Sequence, residues 1–371
     1  MHRPVHGGNL DWASQWVGCL PSDILDFSAS INPLGPPESA IAAITQHLHE
    51  LQAYPDPSYR IFRKVLAEHH DIHPDWICPG NGSAELLTWV CRQLAQYDGT
   101  VILTPAFSDY KRSLSAFGAK VVECSMMEGM DGWRGEDLKS AGVIGAIGLG
   151  QILGDRLLSG SNCVLINNPH NPTGYLWQRD EILALVDRAA MVVVDEAFMD
   201  FLPPEDQQSV IDAVVDYPNL VVLRSLTKFY SLPGLRIGYA IAHPDHLQQW
   251  QQWRDPWPVN ALAVAAAIAS LSDRPFQQQT WNWLQAVKPK LLQGLHHISG
   301  LTPYPGAANY LLVHSTCSTV ELQHTLLETD RLLIRDCVSF PELGDRYFRI
   351  AVRTMAENQR LLMALGKVGG F

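Results

Sequence analysis

The chain has 371 residues, of which 47% are hydrophobic and 18% charged, so it can bury a large core and is long enough for two domains. Its formal net charge of -11 argues against nucleic acids and anionic membranes as partners, because neither is attracted at long range to an acidic surface. Small anions remain possible ligands through local arginines and histidines.

The cysteines are typical of a reducing compartment. No pair has the C-x-x-C spacing of zinc or redox sites. The N-terminal sequence MHRPVHGGNLDW lacks the basic-then-apolar pattern of a signal peptide. The longest apolar stretches, 142–150 and 261–271, are shorter than the roughly 20 residues that span a bilayer. We therefore expect a cytoplasmic protein without a membrane partner, a nucleic-acid partner or a metal.

In chain order, the first forty residues are rich in Gly, Pro and Asn and predict an extended arm with turns rather than a packed domain. From Ser39 apolar residues recur at helical spacing, and short β-rich runs then alternate with helical ones. Strands are predicted at 101–105, 120–125, 163–169, 191–198, 220–226 and 236–242. The alternation indicates an α/β fold with a mostly parallel central sheet covered by helices.

Prolines and tryptophans around 255–258 predict a break in this pattern, and an Ala-rich helix follows it. The remainder is typical of a smaller α+β domain. We predict an N-terminal arm over 1–38 that contributes to the small domain and the substrate site, a large domain over 39–258, and an interdomain helix with the small domain over 259–371.

Lys228 lies in SLTKFYSLPGLRIGY, between an apolar strand and a Pro-Gly turn, which predicts a position at the ligand-binding edge of the sheet. Most lysines are solvated surface charges. A partly desolvated amine at a strand end, however, loses proton affinity and can attack an aldehyde. Ser225 and Arg236 flank the lysine with a hydroxyl and a guanidinium that suit a phosphate.

A second phosphate motif is PGNGSAELL, residues 79–87. Its glycines allow close backbone approach, and the predicted helix after them begins with free N–H groups that can face an anion. Alone, the motif is equally typical of a helix capped by Ser83 or Asn81. Combined with Ser225 and Arg236, it predicts a cup for a cofactor phosphate.

Three further candidates follow predicted strands. Asp195, at the end of MVVVD, is either a turn residue or a carboxylate that pairs with the pyridine nitrogen of a Schiff-base cofactor. Asn171, in NNPHNPTG, is either a turn residue or a rigid amide donor to the ring oxygen of that cofactor. Phe107, in TPAFSDY, is either a core residue or an aromatic face stacked on the ring.

The ordered set GNGSAE, NNPHNPTG, DEAF and SLTKFYSLPGLRIGY resembles the fold-type I pyridoxal 5′-phosphate (PLP) enzymes of the aspartate-aminotransferase superfamily over nearly the whole chain. The resemblance implies that Lys228 holds PLP as a Schiff base, with Asp195 at the pyridine nitrogen and Asn171 at the ring hydroxyl. The cofactor-phosphate ligands that it implies are Gly82, Ser83, Ala84, Ser225 and Arg236. Tyr54 matches a tyrosine that reaches a neighbouring subunit's cofactor phosphate, which implies a homodimer with shared active sites. Phe198 stands where many aminotransferases have a tyrosine.

Within that superfamily the chain is similar to the threonine-phosphate decarboxylases of cobalamin biosynthesis and to the histidinol-phosphate aminotransferases. HGGN (6–9), DFSASINPLGPP (26–37) and IRDC (334–337) resemble the decarboxylases more. That resemblance implies a carboxy-lyase that converts L-threonine O-3-phosphate to (R)-1-aminopropan-2-ol O-phosphate. The substrate-binding residues that it implies are His6, Gly7, Gly8, Asn32 and Arg335, with Arg349 or Arg353 at the carboxylate.

Two alternatives stay open at this point. A histidinol-phosphate or related aminotransferase would use the same cofactor and also bind a phosphorylated amine. A non-catalytic PLP-binding protein is the more remote alternative, since a regulator would carry a DNA-binding module and a basic patch, for which this chain has neither the length nor the charge. His6 could likewise be only a mobile terminal residue, and Asn32 only a turn former before proline.

Overall fold

The computed structural model describes residues 4–126, 148–154 and 161–368. In chain order the strands are β1 (Leu25–Asp26), β2 (Ile77–Gly80), β3 (Gly99–Thr104), β4 (Val121–Ser125), β5 (Asn162–Asn167), β6 (Met191–Asp195), β7 (Leu220–Ser225), β8 (Gly238–Ile241), β9 (Leu301–Tyr304), β10 (Tyr310–Ser315), β11 (Leu332–Leu333), β12 (Arg335–Asp336) and β13 (Tyr347–Ala351). The helices are α1 (Leu10–Val17), α2 (Glu38–Gln46), α3 (Arg60–His70), α4 (Ser83–Leu94), α5 (Ser108–Ala116), α6 (Leu149–Leu153), α7 (Arg179–Val186), α8 (Leu226–Phe229), α9 (Pro244–Gln251), α10 (Ala261–Ser272), α11 (Arg274–His296), α12 (Thr319–Asp330) and α13 (Met355–Lys367).

A seven-stranded sheet in the order β2-β8-β7-β6-β5-β3-β4 forms the centre of the larger part of the protein. Strands β3 to β7 pair in parallel, and β8 pairs antiparallel with both β7 and β2. Along β6, Val192 and Val194 belong to one hydrophobic cluster and Val193 to another, so both faces of the sheet are buried. The predicted α/β fold with a mostly parallel sheet is therefore confirmed. The carboxyl ends of β5, β6 and β7 meet at one edge.

A second, antiparallel sheet in the order β12-β13-β10-β9 lies in the C-terminal part, with α11, α12 and α13 packed beside its strands and one another. The two-residue strand β1 pairs in parallel with β11, so the N-terminal segment is hydrogen-bonded to a segment more than three hundred residues further along the chain. Next to this pairing, Phe27 is hydrogen-bonded to Leu333, two residues before β12, and to Ala351, the last residue of β13.

The expectation that the first forty residues form only an extended arm is wrong, because Leu10–Val17 is a helix. Its first turn is capped by Asn9, whose side-chain oxygen accepts a hydrogen bond from the Trp12 N–H at 2.9 Å, and Gly18 ends it in the left-handed conformation. Trp12 is buried in a cluster with Leu327 and Leu333. Packing against the C-terminal part therefore stabilises a short helix within a Gly- and Pro-rich sequence.

Within the described ranges, every helix is too short or too polar to cross a bilayer. Of the two apolar stretches singled out in the sequence, 261–271 lies in α10, which packs against α2. The other, 142–150, lies mostly outside the described residues.

Candidate active site

A cavity of about 400 Å³ opens at the carboxyl ends of the parallel strands. It is bordered by the start of α4, the ends of β5, β6 and β7, the HGGN segment (residues 6–9), and β12 and β13. The sequence-predicted residues that line it are His6, Gly7, Ser83, Ala84, Phe107, Asn171, Asp195, Ser225, Lys228, Arg236, Arg335 and Arg349. Residues from both ends of the chain therefore meet the motifs of the central sheet in one place.

Lys228 lies in α8, the single turn of helix that follows β7 directly. Burial, and then the positive charges of Arg349 and Arg236, lower the pKa of its amine to about 8. At that pKa about a tenth of the amine is unprotonated at pH 7, compared with well under a thousandth for an ordinary lysine. The environment thus gives Lys228 the nucleophilic character expected from its sequence context.

Asp195, the last residue of β6, presents a carboxylate to the same cavity. Its Oδ2 accepts a hydrogen bond from the Tyr110 hydroxyl at 2.8 Å, and its Oδ1 accepts one from the Ala197 N–H at 3.0 Å. Burial raises the pKa of Asp195, while these two donors and the nearby Lys228 lower it. The carboxylate is thus held in one orientation with donors on both oxygens.

Gly82 and Arg236 bring the two phosphate motifs together. A Cβ atom built on Gly82 would lie 2.6 Å from Nη2 of Arg236, and Gly82 has a φ of 76°. Only glycine therefore lets the guanidinium lie against the start of α4. Ser225 completes this region with its hydroxyl, which is 2.7 Å from that of Thr227. Backbone N–H groups of a helix start, hydroxyls and a guanidinium are together suited to bind an anion.

Asn171 and Arg349 are in direct contact. Arg349 donates to Oδ1 of Asn171 through Nη1 and to the Ser28 carbonyl through Nη2 at 3.3 Å. Its guanidinium carbon lies 4.9 Å from the centre of the Tyr310 ring. Arg349 is 9% exposed, and its Nε has no hydrogen-bond partner among the described residues. A buried guanidinium with an unused donor beside the cavity is suited to a carboxylate ligand.

A second arginine, Arg335 in β12, lines the cavity together with His6. Arg335 donates to the backbone carbonyl of Val5 and to the Ser339 hydroxyl, the latter at 2.6 Å. His6 places Nε2 at 3.6 Å from Oδ1 of Asp109. The interaction with His6, and then that with Arg112, holds the pKa of Asp109 at about 2. The N-terminal segment is therefore tied to both sides of the cavity.

Five predicted residues are outside this lining; Gly82 directly precedes the lining residue Ser83, and the other four are described next. Asn32 is buried, and its side-chain amide donates to the Phe229 carbonyl and the Thr280 hydroxyl, both at 2.9 Å. Arg353 donates to the Asp26 carbonyl at 3.1 Å and forms an ion pair with Glu357 at 2.9 Å. The other two are Gly8, which lies next to the lining residue Gly7, and Tyr54, which is 80% exposed and stacks on Trp257 with ring centres 4.5 Å apart.

Residues 22–365 match the model of a protein family described as aminotransferase class I and II. The chain belongs to that family. This chain is 39% identical to a relative, threonine-phosphate decarboxylase from Salmonella typhimurium, over 99% of this chain and 97% of the relative. It is 30% identical to an adenosylcobalamin biosynthesis bifunctional protein from Leptospira interrogans, over 99% of this chain and 41% of that protein.

Among solved structures, the histidinol-phosphate aminotransferase from Clostridium acetobutylicum superposes on this protein with a TM-score of 0.82. The sequence identity is 26%, and the superposition covers 93% of this chain and 99% of the solved one. Together with the family match, this confirms the predicted fold-type I architecture.

Several polar residues of the lining were missed by reasoning from the sequence, among them Tyr110, Asp109 and Ser28. Tyr110 and Asp109 lie in the same SDY tripeptide that follows Phe107, at the start of α5. Their spacing of two and three residues from the strand-end aromatic Phe107 was a usable signal, because the first turn of a helix that begins at a ligand edge faces the ligand. Ser28 had no comparable signal, since its role depends on contacts with both chain ends.

Proposed function

We propose that this protein is a PLP-dependent carboxy-lyase that converts L-threonine O-3-phosphate to (R)-1-aminopropan-2-ol O-phosphate in cobalamin biosynthesis. The observation that carries the proposal is the presence of two arginines, Arg335 and Arg349, on the cavity that also holds Lys228 and a separate anion site at Arg236. The relatives named as a threonine-phosphate decarboxylase and an adenosylcobalamin biosynthesis protein support the same choice.

The residues fit PLP as the cofactor. Lys228 offers a partly unprotonated amine, Asp195 an oriented carboxylate for the pyridine nitrogen, and Asn171 an amide for the ring oxygen. The space that Gly82 leaves beside Arg236, together with Ser225, suits the cofactor phosphate. When bound, PLP supplies an electron sink for whichever bond at the substrate Cα stands perpendicular to its ring.

The number of cationic groups matches a substrate with two anionic groups. Once Arg236 is assigned to the cofactor phosphate, an ordinary amino acid would need one more arginine, for its carboxylate. This site has Arg349, which is buried and whose Nε has no partner among the described residues, and in addition Arg335, beside which His6 also lines the cavity. Threonine phosphate carries a carboxylate and a phosphate, so each anion has a cationic partner of its own.

Holding both ends of the substrate also explains how the chain selects a reaction. With its carboxylate near Arg349 and its phosphate near Arg335 and His6, the substrate cannot rotate freely about its Cα. The residues on the cavity wall thereby set which Cα bond is oriented for cleavage, and decarboxylation needs the carboxylate bond to take that orientation.

A histidinol-phosphate aminotransferase is the second candidate, favoured by the close superposition on an enzyme of that name. The test is to incubate the purified PLP-loaded protein with threonine phosphate, with and without 2-oxoglutarate, and to measure carbon dioxide and the product amine. We expect gas release that does not depend on the oxo acid. Strict dependence on 2-oxoglutarate with no gas released would overturn the proposal.

We further propose that the protein is a homodimer with shared active sites and that it acts in the cytoplasm. A groove of about 440 Å³ on the α3 and α10 side is lined mostly by apolar residues, including Ile61, which is 73% exposed, with His47, Glu50, Asp56 and Arg60 also in its lining. Tyr54 directly precedes Pro55, which lines this groove, and Tyr54 is not among the residues that line the cavity of its own chain. A second copy on this face would bury the apolar surface and bring Tyr54 to the partner's cofactor phosphate. All seven cysteines lie in the described residues and none is in a disulfide, which supports a reducing compartment.

A further inference from the structure

Ser28 links the HGGN segment to the body of the protein. Its hydroxyl accepts a hydrogen bond from the Gly8 N–H at 2.7 Å and donates one to Oδ1 of Asp26 at 2.6 Å. The Ser28 N–H donates to the same carboxylate oxygen at 2.7 Å. Since Ser28 is only 2% exposed, water cannot readily replace these partners.

Gly7 packs directly on the Ser28 backbone. A Cβ atom built on Gly7 would lie 2.3 Å from the carbonyl oxygen of Ser28 and 2.7 Å from its carbonyl carbon, a clash that backbone atoms cannot relieve by a side-chain movement. Gly8 follows with a φ of 82°. The two glycines therefore let the chain lie flat against Ser28, with His6 on the cavity wall.

Ser28 itself is held firmly by the C-terminal part of the protein. The preceding residue, Phe27, donates its N–H to the Leu333 carbonyl and accepts from the Ala351 N–H, both at 2.8 Å. The Ser28 carbonyl accepts from Nη2 of Arg349 at 3.3 Å. One residue thus contacts both the segment that carries His6 and the arginine proposed for the substrate carboxylate.

We propose that Ser28 is a positioning residue that clamps the HGGN segment over the active site. By fixing this segment relative to Arg349, it sets the distance between the groups that bind the phosphate and the carboxylate of the substrate. The inference rests on the proposed function for its effect on substrate, whereas the clamp is a property of the folded chain without substrate. Ser28 does not itself need to touch the reacting atoms.

The clamp is tested by hydrogen–deuterium exchange of residues 4–9 in the PLP-loaded protein without substrate, comparing the native chain with Ser28→Ala. Loss of one buried hydrogen bond is expected to speed amide exchange in the segment by about 5-fold. Ser30→Ala is the matched control, because Ser30 is equally buried in the same stretch and its hydroxyl has no hydrogen-bond partner among the described residues. Unchanged exchange in Ser28→Ala, or an equal increase in both variants, would overturn the clamp.

The effect on substrate is read from steady-state kinetics with threonine phosphate. In Ser28→Ala we expect KM to rise by about 10-fold while kcat changes much less, because binding contacts are loosened and the cofactor site is intact. Gly7→Ala should reproduce both effects with Ser28 present, and it is the variant to use if Ser28→Ala folds poorly. Faster exchange with an unchanged KM would show that the clamp does not serve substrate binding. If threonine phosphate is not a substrate at all, the proposed function fails while the exchange result still decides the clamp.

Discussion

Asp195 illustrates how single residues adjust the candidate site. A carboxylate buried beside a cofactor pocket tends to take up a proton, and burial does raise the pKa of Asp195. Two hydrogen-bond donors, the Tyr110 hydroxyl and the Ala197 N–H, oppose that tendency. Lys228 adds a positive charge when it is protonated. An ionised Asp195 is the form that can pair with a protonated pyridine ring.

We predict that Tyr110→Phe weakens PLP binding. The change removes a hydrogen bond to a charged group, which contributes on the order of 1.5–3 kcal/mol in proteins, so the dissociation constant for PLP should rise by about 10-fold or more. The measurement is a spectrophotometric PLP titration of the apoprotein at several pH values. The absorbance of the bound cofactor should also change with pH over a higher pH range in Tyr110→Phe than in the native chain. Without the hydrogen bond from Tyr110, Asp195 loses its proton less readily, so its pKa is higher.

Tyr97→Phe serves as the control for this prediction. Tyr97 is a partly buried tyrosine that packs against the same hydrophobic cluster as Tyr110 but does not line the cavity. Its PLP affinity and pH profile should match those of the native protein. Equal affinities for Tyr110→Phe and the native chain would mean that the hydrogen bond to Asp195 is dispensable.

The residues that sequence reasoning placed correctly on the cavity are those with local signals. Asp195 is the last residue of a parallel strand, and Asn171 and Lys228 follow the ends of two others, so the edge on which they lie is readable from the strand pattern. Asn32 has a similar turn context, yet its amide is occupied by Phe229 and Thr280, partners 197 and 248 residues away in sequence. The direction of that side chain is set by tertiary packing, which no local pattern records.

At the scale of elements, the junction between Gly82 and α4 has a strict steric requirement. The helix begins at Ser83 without a side-chain cap on the residue before it, and the Arg236 guanidinium lies where a Cβ of residue 82 would be. No side chain among the described residues caps the start of this helix, and its first turn faces the cavity instead. The free N–H groups of this first turn are then available to an anion rather than to the chain's own side chain.

We predict that Gly82→Ala lowers PLP affinity by about 10-fold or more, because the added Cβ pushes Arg236 away from the start of α4. The same PLP titration measures the effect. Part of any destabilisation will come from the positive φ alone, which costs an alanine on the order of 1 kcal/mol.

Gly118→Ala separates the two effects. Gly118 has a φ of 69°, close to that of Gly82, but a Cβ there would have no atom within 4 Å. This control should lose a similar amount of stability in urea unfolding and keep the native affinity for PLP. If both variants bind PLP equally well, the absence of a Cβ at residue 82 does not determine the position of Arg236.

Helix α1 shows why elements near the N-terminus were harder to predict than the motifs of the sheet. The capping residue Asn9 and the terminating Gly18 are both readable in the sequence, but the high Gly and Pro content around them indicates a coil. What stabilises the helix is the burial of Trp12 against Leu327 and Leu333. Those partners lie at the other end of the chain, so the helix depends on contacts that periodicity does not reveal.

At the scale of the whole molecule, the exposed apolar face formed by α2, α3 and α10 is a candidate interface between subunits. It carries Ile61, and the other large apolar residues exposed by about half or more on or near it are Ile41, Leu48, Leu51 and Tyr54. We predict that Ile61→Asp weakens the proposed homodimer, since a charge would be buried in the proposed interface. Sedimentation should show a shift toward monomer, together with a lower PLP affinity if the partner's Tyr54 contributes to the site.

Met363→Asp is the matched control, because Met363 is 62% exposed on α13, away from this face. It should sediment like the native protein. A native sedimentation profile for Ile61→Asp would place the interface elsewhere.

The pairing of β1 with β11 also affects the order in which parts of the chain fold during synthesis. Strands β2 to β8 lie within residues 77–241, so the central sheet can form while the ribosome is still translating the remainder. Strand β1 must wait for Leu332 and Leu333, and closing so long a loop is slow. The part of the cavity wall formed by the HGGN segment, β12 and β13 is therefore completed only after nearly the entire polypeptide has emerged. The region of Gly82, Ser225 and Arg236 can form earlier than the groups proposed to bind the substrate.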